Sequence, residues 1–534
     1  MSDMRAVVVG AGIGGLCAAL RLALAGADVT VIEKEPGPGG KIRQVRAGTS
    51  MIDAGPTVFT MRDVFDDLFD AAGTSLDEEV NIRPADILAR HAWDAGAALD
   101  LFADRERSVD AVGTFAGAEA ARGFRAFTAE AKRIHDILER PFLRASKAWP
   151  PLLMWRIGLL RLGTLRAIRP YENLWSVLGE HFRDPRLRQL FGRYSTYCGS
   201  SPFVAPATLM LIAHVEAKGV WLVDGGMSAL AAAIERLARG AGVRFRYDQR
   251  VAAIETRNGR ASGVRVASGE FFLADAIVAN CDPAAIAAGC FGQAARCAVS
   301  AYPARQRSLS AFTWAAEACA SGRPLVRHNV FFSPDYPAEF GDLAADRPPV
   351  SPSVYVCALD RGADAVPAVP GPQRFQIIVN APANGDAHVY SPGEIEQCSR
   401  RMQARLDACG LTLDPVSPPV IATPNDFERL CPSTGGALYG RASHGWAASF
   451  LRQSARTRTP GLYCAGGSTH PGAGVPMAAL SARLAVETLL KDRASIARFH
   501  PAAMPGGIST RSAKTAPMAS PSSASSAVSS PLIT

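Results

Sequence analysis

The fold of the chain is decided by the stretch RAVVVGAGIGGL at residues 5–16. Its apolar run predicts a strand, and the glycines that follow at once predict a tight turn. Leucine and alanine then recur at helical spacing as far as Leu24, so the turn leads into a helix. Residues 28–32, DVTVI, predict a second strand, which ends at Glu33, 23 positions after Gly10. This order is typical of a dinucleotide-binding unit.

Each glycine of the turn has its own mechanical role. Gly10 permits the tight exit from the strand, Gly12 lets the backbone approach a pyrophosphate, and Gly15 lets the helix pack on the strand. The phosphates are then expected at the N-terminus of the helix, where free N–H groups and the helix dipole favour negative charge. Glu33 is suited to accept hydrogen bonds from an adenosine ribose diol, and it would repel the 2′-phosphate of NADP.

A second glycine turn, EPGPGGKI at residues 35–42, directly follows the acidic residue. Here the sequence resembles the flavin-dependent amine oxidase and phytoene desaturase superfamily, in which this segment lies along the pyrophosphate and ribityl chain of FAD. The resemblance implies FAD as the cofactor. It also implies an α/β fold, with a Rossmann-like FAD-binding domain of the amine-oxidase type and a mixed α+β substrate domain.

A second strong motif, GLYCAGGSTHPGAGVPM, occupies residues 461–477 and opens a helix near Pro476. It resembles the Thr-His-Pro-Gly-Ala-Gly-[Ile/Val]-Pro signature of bacterial carotenoid desaturases. A helix N-terminus at this place would stabilise the negative charge of a reduced flavin ring. The chain has Gly467-Ser468 where many flavoproteins have Gly-Asp.

The resemblance implies a set of FAD-binding residues and leaves the catalytic residue unassigned. Asp53, His328 and His470 are candidate acids or bases, although structural roles are favoured for Asp53 and His328. The residues expected to bind FAD are Gly10, Gly12, Ile13, Gly14, Gly15, Glu33, Lys34, Gly40, Lys41, Gly55, Pro56, Val251, Gly467, Val475 and Met477.

At 534 residues the chain exceeds one ordinary core, so two domains are expected. Residues 1–90, 217–290 and 455–498 are assigned to the FAD-binding domain. Residues 91–216, where helical patterns prevail, and 291–454, where alternating patterns suggest a sheet, are assigned to a substrate and membrane-associating domain. Residues 499–534 are rich in Ser, Ala and Pro and are expected to be a disordered tail.

The net charge of +8 comes without a nucleic-acid-binding motif, so nucleic acid is not expected as a partner. Residues 140–169 hold seven basic residues and no acid, interleaved with Trp and Leu. This pattern favours either a helix at an anionic membrane surface or a helix that lines a substrate tunnel. No leader and no apolar run of spanning length is present, which predicts a cytoplasmic protein peripheral to the inner membrane. The eleven cysteines are scattered, and no metal site is expected.

Three further segments, at residues 53–61, 191–194 and 328–334, resemble the hydroxyneurosporene desaturases within the carotenoid desaturase family. The resemblance implies 3,4-desaturation of an acyclic hydroxylated carotenoid, by hydride transfer from an allylic CH₂ to the flavin. Quinone or oxygen is expected as the electron acceptor, since the sequence has no second dinucleotide motif. The alternatives are a phytoene desaturase, a carotenoid isomerase, a flavin amine oxidase, and a non-catalytic prenyl-lipid carrier of the same fold.

Overall fold

The computed structural model describes residues 4–146, 149–157, 163, 167–362 and 371–499. Residues up to Leu490 belong to one compact unit, and Lys491–Thr534 belong to a second. The strands are β1 (Arg5–Val9), β2 (Asp28–Ile32), β3 (Gln44–Ala47), β4 (Ser50–Asp53), β5 (Ile82–Pro84), β6 (Ile87–Ala92), β7 (Ala98–Phe102), β8 (Trp221–Val223), β9 (Arg244–Arg246), β10 (Val251–Arg257), β11 (Arg260–Val266), β12 (Phe271–Leu273), β13 (Ala276–Ala279), β14 (Ser310–Gly322), β15 (His328–Phe331), β16 (Val354–Ala358), β17 (Gln373–Ala381), β18 (Leu411–Pro415), β19 (Val420–Ala422) and β20 (Leu462–Cys464).

The α-helices lie between these strands and after the last of them. They are α1 (Ile13–Leu24), α2 (Asp63–Ala71), α3 (Leu76–Glu79), α4 (Arg105–Leu138), α5 (Pro150–Ile157), α6 (Leu174–His181), α7 (Pro185–Gly192), α8 (Leu211–Ala217), α9 (Met227–Gly240), α10 (Pro283–Ala288), α11 (Gln293–Arg296), α12 (Tyr336–Ala344), α13 (Pro392–Ala408), α14 (Pro424–Leu430) and α15 (Val475–Phe499). Helix α4 is broken at Gly117, where φ is +89°.

A five-stranded parallel sheet, in the order β20-β13-β1-β2-β9, carries the N-terminal motif. Strand β1 pairs with β2 on one side and with β13 on the other, so its valines are buried on both faces. Val8 packs with α1, α9 and α15, whereas Val7 and Val9 pack with the antiparallel meander β10-β11-β12. The predicted α/β, Rossmann-like fold is confirmed. All five strands come from the three segments assigned to the FAD-binding domain.

A second, mixed sheet runs in the order β18-β14-β17-β16-β15-β6-β7, with β19 beside β14. Its strands pair antiparallel except for β6 and β15, which run parallel. Within residues 91–216, where helical patterns prevail, β7 is a strand that pairs antiparallel with β6 and precedes α4. Its alternation at Leu99 and Leu101 is the signal of a half-buried strand.

The helices α4, α6, α7 and α8 pack together around a core that includes Phe127, Phe182 and Phe191. Helix α4 contacts both α8 and strand β7, so the helical layer is attached to the edge of the mixed sheet. This arrangement places a wall of apolar helices opposite the sheet. None of the described helices is both long and apolar enough to cross a membrane.

The basic stretch at residues 140–169 differs from its sequence-based interpretation. Arg144 pairs with Asp63 and Glu139, and Arg169 pairs with Glu130, Glu172 and Glu180 at 2.8–2.9 Å. Three further basic residues of the stretch, and residues 500–534 of the expected tail, lie outside the described residues; the three are Lys147, Arg161 and Arg166. Acids outside the stretch, some of them close by in sequence (Glu139 and Glu172) and some farther away (Asp63, Glu130 and Glu180), thus pair with two of its seven basic residues.

Candidate active site

The glycine turn after β1 lies against Asn280, at the end of β13, and against Gly466, after β20. A Cβ at Gly12 would lie 2.7 Å from Asn280 Oδ1, and one at Gly14 would lie 2.9 Å from Gly466 Cα. Asn280 Nδ2 donates to the carbonyl of Ala465 at 2.9 Å, which joins the two strands across the turn. The absence of side chains is therefore required here, and it leaves backbone facing a cavity.

That cavity has a volume of about 370 Å³, within the usual range of small-molecule and cofactor sites. Thirteen of the fifteen residues expected to bind FAD line it: Gly10, Gly12, Ile13, Gly14, Glu33, Lys34, Gly40, Lys41, Gly55, Pro56, Val251, Gly467 and Val475. The other two lie elsewhere. Gly15 packs against the strand, where a Cβ would lie 1.9 Å from the carbonyl oxygen of Gly10, and Met477 lines a neighbouring cavity.

Glu33 is buried at the end of β2, where its side chain faces this cavity. The carboxylate accepts hydrogen bonds from the backbone N–H of Ala11 at 2.6 Å and of Glu35 at 2.9 Å. A carboxylate has about four lone-pair positions, so it retains capacity for the two hydroxyls of a ribose. The same bonds fix both glycine turns relative to the acid.

The second turn is held by contacts to the far side of the cavity. Lys41 Nζ donates to the carbonyl of Leu438 at 2.6 Å, and Lys34 Nζ donates to the carbonyl of Arg429 at 2.9 Å. A Cβ at Gly55 would lie 2.1 Å from the carbonyl oxygen of Lys41, so the two segments touch through backbone. Gln376 Nε2 donates to the carbonyl of Gly55 at 2.8 Å.

The C-terminal motif closes the cavity opposite the first turn. Thr469 Oγ1 donates to the carbonyl of Gly466 at 2.6 Å and shares a hydrogen bond of 2.6 Å with Ser481 Oγ, on α15. This clamp holds the turn at Gly466 against the last helix, which begins at Val475. The N-terminus of α15 therefore faces the cavity, as predicted from the sequence.

These features together fit FAD. A backbone turn at a helix N-terminus suits the pyrophosphate, a buried carboxylate suits the ribose, and a second helix N-terminus suits the flavin end. Residues from both ends of the chain, between Val9 and Ala478, line this cavity. The assignment of individual residues to FAD remains a prediction.

A second cavity, of about 360 Å³, lies directly beside the first. The mixed sheet contributes Val330, Val354 and Ile378 to its wall, and the helical layer contributes Leu138, Leu209 and Ile212. Six residues line both cavities: Pro56, Ile378, Tyr439, Ala473, Gly474 and Val475. An apolar space thus meets the cofactor cavity at the end where α15 begins.

The three candidate acid–base residues are buried, and the lining of neither cavity includes them. Asp53 accepts from Ser228 Oγ at 2.8 Å. His328 Nδ1 bonds with Tyr355 Oη at 2.7 Å, and burial lowers its pKa to about 3. His470 Nε2 donates to the carbonyl of Ala145 at 2.8 Å, and burial lowers its pKa to about 4. Both histidines are neutral at physiological pH.

Several residues of the two cavities carry no motif in the sequence. Asn280 and Gln376 contact the cofactor turns, and Tyr439 lies at the boundary of the cavities. The one available signal is the presence of polar side chains within apolar strands, as for Gln376 in β17. That signal indicates a buried hydrogen bond without identifying its partner.

The cysteines are free thiols, and a group of side chains with metal-ligating atoms lies close together. All eleven cysteines are described, and none is paired in a disulfide. His135, Asp136 and His214 offer ligand atoms within 4.8 Å of one another, which the sequence spacing does not indicate. Lys132 Nζ already binds the carboxylate of Asp136 at 2.6 Å, so this group has a partner in the protein.

The fold and the first cavity define a flavoprotein with one N-terminal dinucleotide-binding motif. The family model "Flavin containing amine oxidoreductase" matches residues 13–490. Hydroxyneurosporene desaturase from Rubrivivax gelatinosus is 50% identical over 96% of this chain and 98% of its own length. Hydroxyneurosporene desaturase from Cereibacter sphaeroides is 48% identical over 92% of this chain and 99% of its own. An oxidoreductase structure from Methanosarcina mazei aligns with a TM-score of 0.57 at 17% identity, over 91% of this chain and 100% of that one.

The chain therefore belongs to the flavin containing amine oxidoreductase family, within the group of these hydroxyneurosporene desaturases. It is a flavin-dependent oxidoreductase, and its cofactor is FAD. The resemblance stated from the sequence motifs is thereby confirmed. The M. mazei structure supports the fold alone, because its sequence identity is low.

Proposed function

We propose that the chain is an FAD-dependent desaturase that introduces the 3,4 double bond into an acyclic hydroxylated carotenoid, in carotenoid biosynthesis. The observation that carries the proposal is the apolar cavity that meets the FAD cavity along Pro56, Ile378 and Val475. A polyene needs a long apolar wall with little polar surface, and this cavity provides one. The named substrates of the relatives support the substrate class.

The chain's own part is to bind, orient and exclude water. The turn at Gly10–Gly14, Glu33 and Lys41 would hold the cofactor, and the N-terminus of α15 would favour negative charge at its flavin end. Bound FAD supplies the two-electron oxidation of a carbon–carbon single bond. The wall at Val330, Val354 and Ile378 would fix the terminal bonds of the polyene at the boundary of the cavities. The division into FAD-binding and substrate domains is retained within this proposal.

Positioning is proposed to matter more than a dedicated base. Asp53, His328 and His470 face protein partners and lie outside the lining of the substrate cavity. Conjugation along the polyene lowers the cost of developing positive charge at the oxidised carbon. The electrons are proposed to pass on to a quinone or to oxygen. Reoxidation rates of the reduced enzyme with a quinone analogue and with oxygen would distinguish the two acceptors.

The test of the function is anaerobic reduction of the bound flavin. Purified holoenzyme is mixed with liposomes that contain an acyclic hydroxylated carotenoid, and the flavin absorption is followed. We expect bleaching of the oxidised flavin band together with a red shift of the carotenoid spectrum, since one double bond joins the polyene. A putrescine control tests the amine oxidase alternative. Bleaching by putrescine and none by the carotenoid would overturn the proposal, and a protein that binds no FAD would exclude the enzyme class.

Peripheral association with a cytoplasmic, anionic membrane surface is proposed from the mouth of the apolar cavity. Trp446 lines the cavity and is 47% exposed, and its ring lies 5.5 Å from that of Tyr171, which is 78% exposed. Trp155 is 67% exposed on α5, the helix whose Leu153 lines the same cavity. Exposed aromatics around an apolar opening suit insertion at the interface of a bilayer.

We propose that the aromatic side chains carry most of this binding, since Arg144 and Arg169 already pair with acids of the protein. Co-sedimentation with vesicles of neutral and of anionic lipid tests it. We expect the Trp155→Ser/Tyr171→Ser double variant to lose most vesicle binding. Val389→Ser is the matched control, because Val389 is also strongly exposed, at 83%, and does not line the cavity. Equal loss in the control, or none in the double variant, would contradict the proposed membrane contact.

A further inference from the structure

The wall of the substrate cavity is largely apolar, and besides Arg452, whose guanidinium donates to the carbonyls of Tyr439 and Arg441, it contains a cluster of charged and polar side chains. Arg193, Tyr197 and Glu216 all line the cavity. Glu216 is 5% exposed, and its carboxylate accepts hydrogen bonds from Tyr194 Oη and, at 2.9 Å, from Tyr197 Oη. Arg193 Nη2 donates to Tyr197 Oη at 3.4 Å. A buried carboxylate and a guanidinium are costly to desolvate, so their position in an apolar cavity needs a reason.

The cluster has hydrogen-bonding capacity that the protein does not use. Arg193 Nε is buried and has no hydrogen-bond partner among the described residues. Tyr336 Oη is also buried and also has no hydrogen-bond partner among the described residues. Its side chain lines the cavity, and the residue is 5% exposed. Buried polar atoms are nearly always paired, which makes two unpartnered donors in one cavity a sign of a polar ligand group. Glu216 also keeps lone-pair positions beyond those used by the two tyrosines.

A chain of contacts places the cluster near the cofactor. Pro56 lines both cavities, and the next residue, Thr57, has its Oγ1 at 2.6 Å from Tyr355 Oη. Tyr355 also lines the substrate cavity, and its pKa is raised by burial, by Cys357 and by the nearby Tyr197. Tyr197, Glu216 and Tyr355 thus line one cavity, and that cavity meets the FAD cavity at Pro56, next to Thr57. The exposed Trp446 lies at the mouth instead.

We propose that Arg193, Tyr197 and Glu216, with Tyr336, form the subsite that binds the end-group hydroxyl of the carotenoid. The inference rests on the proposed function and deepens it. The hydroxyl donates to the carboxylate of Glu216 and accepts from the N–H of Arg193 or the O–H of Tyr336. Because the hydroxyl lies only a few bonds from the terminal bond that is oxidised, anchoring it near the cofactor sets the position of the polyene along the flavin. A carotenoid without the hydroxyl leaves these buried groups unpaired and is rejected.

The test compares two substrates with the same number of conjugated double bonds, one with the end-group hydroxyl and one without. The readout is the ratio of their kcat/KM values in the wild type and in Tyr197→Phe, Tyr336→Phe and Glu216→Gln. We expect the wild type to favour the hydroxylated substrate, and Glu216→Gln to reduce the ratio by about tenfold or more. The reduction comes from lost activity on the hydroxylated substrate, while activity on the hydrocarbon stays within about threefold.

Glu339→Gln is the control for loss of a buried carboxylate. Glu339 is 1% exposed, accepts from Ser353 Oγ at 2.6 Å and does not line the cavity, so the ratio should not change. FAD content and thermal unfolding verify that each variant is folded. If Glu216→Gln does not fold, the two Tyr→Phe variants decide, because each removes one hydroxyl and keeps its ring.

Three results separate the inference from the proposed function. A ratio unchanged in folded variants, or equal losses with both substrates, assigns the cluster a structural role and overturns the inference. A wild type that oxidises both substrates equally well overturns it too, although the desaturase function then stands. A wild type whose flavin is reduced by neither carotenoid overturns the proposed function itself.

Discussion

The FAD cavity and the substrate cavity meet at Pro56 and Val475, yet the chain builds their walls in different ways. The FAD cavity is lined by the glycines of three turns (Gly10, Gly12 and Gly14; Gly39 and Gly40; Gly466 and Gly467) together with side chains such as those of Glu33 and Lys41. The substrate cavity is lined mainly by side chains from five helices (α4, α5, α8, α12 and α15) and three strands (β15, β16 and β17) that are far apart in sequence. We expect a cavity lined by glycine turns to lose its ligand when a side chain is added to a glycine. We expect a cavity lined by side chains to lose its ligand when one of those side chains is exchanged. The four predictions below test this contrast.

The largest effect is expected for Gly14→Ala. The added Cβ would lie 2.9 Å from Cα and 3.1 Å from N of Gly466, which are backbone atoms held by the Thr469 clamp. Overpacking of this kind costs about 1–3 kcal/mol, which is sufficient to reduce bound FAD to roughly a tenth or less. The measurement is the flavin-to-protein absorbance ratio after purification. Gly37→Ala is the control, since nothing lies within 4 Å of its Cβ position. Full FAD content in Gly14→Ala would refute the view that close backbone packing at this turn is needed to bind FAD.

The next effect concerns the acid that holds the same turn. Glu33→Gln exchanges one carboxylate oxygen for an amide NH₂, which then faces a backbone N–H of Ala11 or Glu35. Leaving a buried donor unpaired costs about 1–3 kcal/mol, so FAD should bind about 10- to 100-fold more weakly. Titration of the apoprotein with FAD, followed by fluorescence, measures this. Glu255→Gln should change the affinity little, because that side chain is 40% exposed, pairs with Arg265 at the surface and does not line the FAD cavity.

The same contrast explains what the sequence predicts and what it does not. The residues from Gly10 to Lys41 act through backbone and close neighbours, so their spacing predicts a strand, a turn, a helix and a dinucleotide site, and the family resemblance of the second turn implies FAD. Arg144 and Arg169 are different, because their partners Asp63 and Glu180 are remote or lie on another element. Tyr197 and Glu216 meet only after α8 packs beside the turn at Arg193–Cys198. No local periodicity encodes such a meeting.

Strand β7 and Met477 show the same limit on a smaller scale. The alternation of Leu99 and Leu101 is visible in the sequence, but the helical patterns that flank it dominate the interpretation. Met477 belongs to the C-terminal FAD motif by position, yet the turn of α15 directs its side chain to the substrate cavity. A motif predicts where the backbone runs, and side-chain direction follows from the packing of the helix.

A pH-dependent prediction concerns the mixed sheet over the substrate cavity. Burial lowers the pKa of His91, on β6, and of His328, on β15, to about 3 in each case. In the unfolded chain a histidine has a pKa of about 6.5, so the unfolded state binds more protons between pH 6.5 and 3. The free energy of unfolding therefore falls as the pH falls through that window, by up to about 1.4 kcal/mol per pH unit for each histidine.

Chemical denaturation of the holoenzyme between pH 7.5 and 5 measures this slope. His328→Asn should reduce it by about one proton, because the variant has no group to protonate at that position. His388→Asn serves as the control, since the His388 side chain is 45% exposed. A slope identical in His328→Asn and the wild type would contradict the assignment. His470, in the segment assigned to the FAD-binding domain, adds to the same slope, because burial lowers its pKa to about 4.

The smallest effect is expected for a substitution at Met477. This substitution best distinguishes the roles of the two cavities. Met477 lines only the substrate cavity, whereas Val475, two residues earlier, lines both. Met477→Leu conserves volume but changes the shape of the wall, so kcat/KM for the carotenoid should change about two- to fivefold while FAD affinity stays within about twofold. Val475→Ala should alter both quantities, because it removes two methyl groups at the boundary. A finding that Met477→Leu weakens FAD binding as much as Val475→Ala does would contradict this prediction. In that case the N-terminus of α15 forms a single wall for both cavities, and the two cavities do not differ in construction at this end.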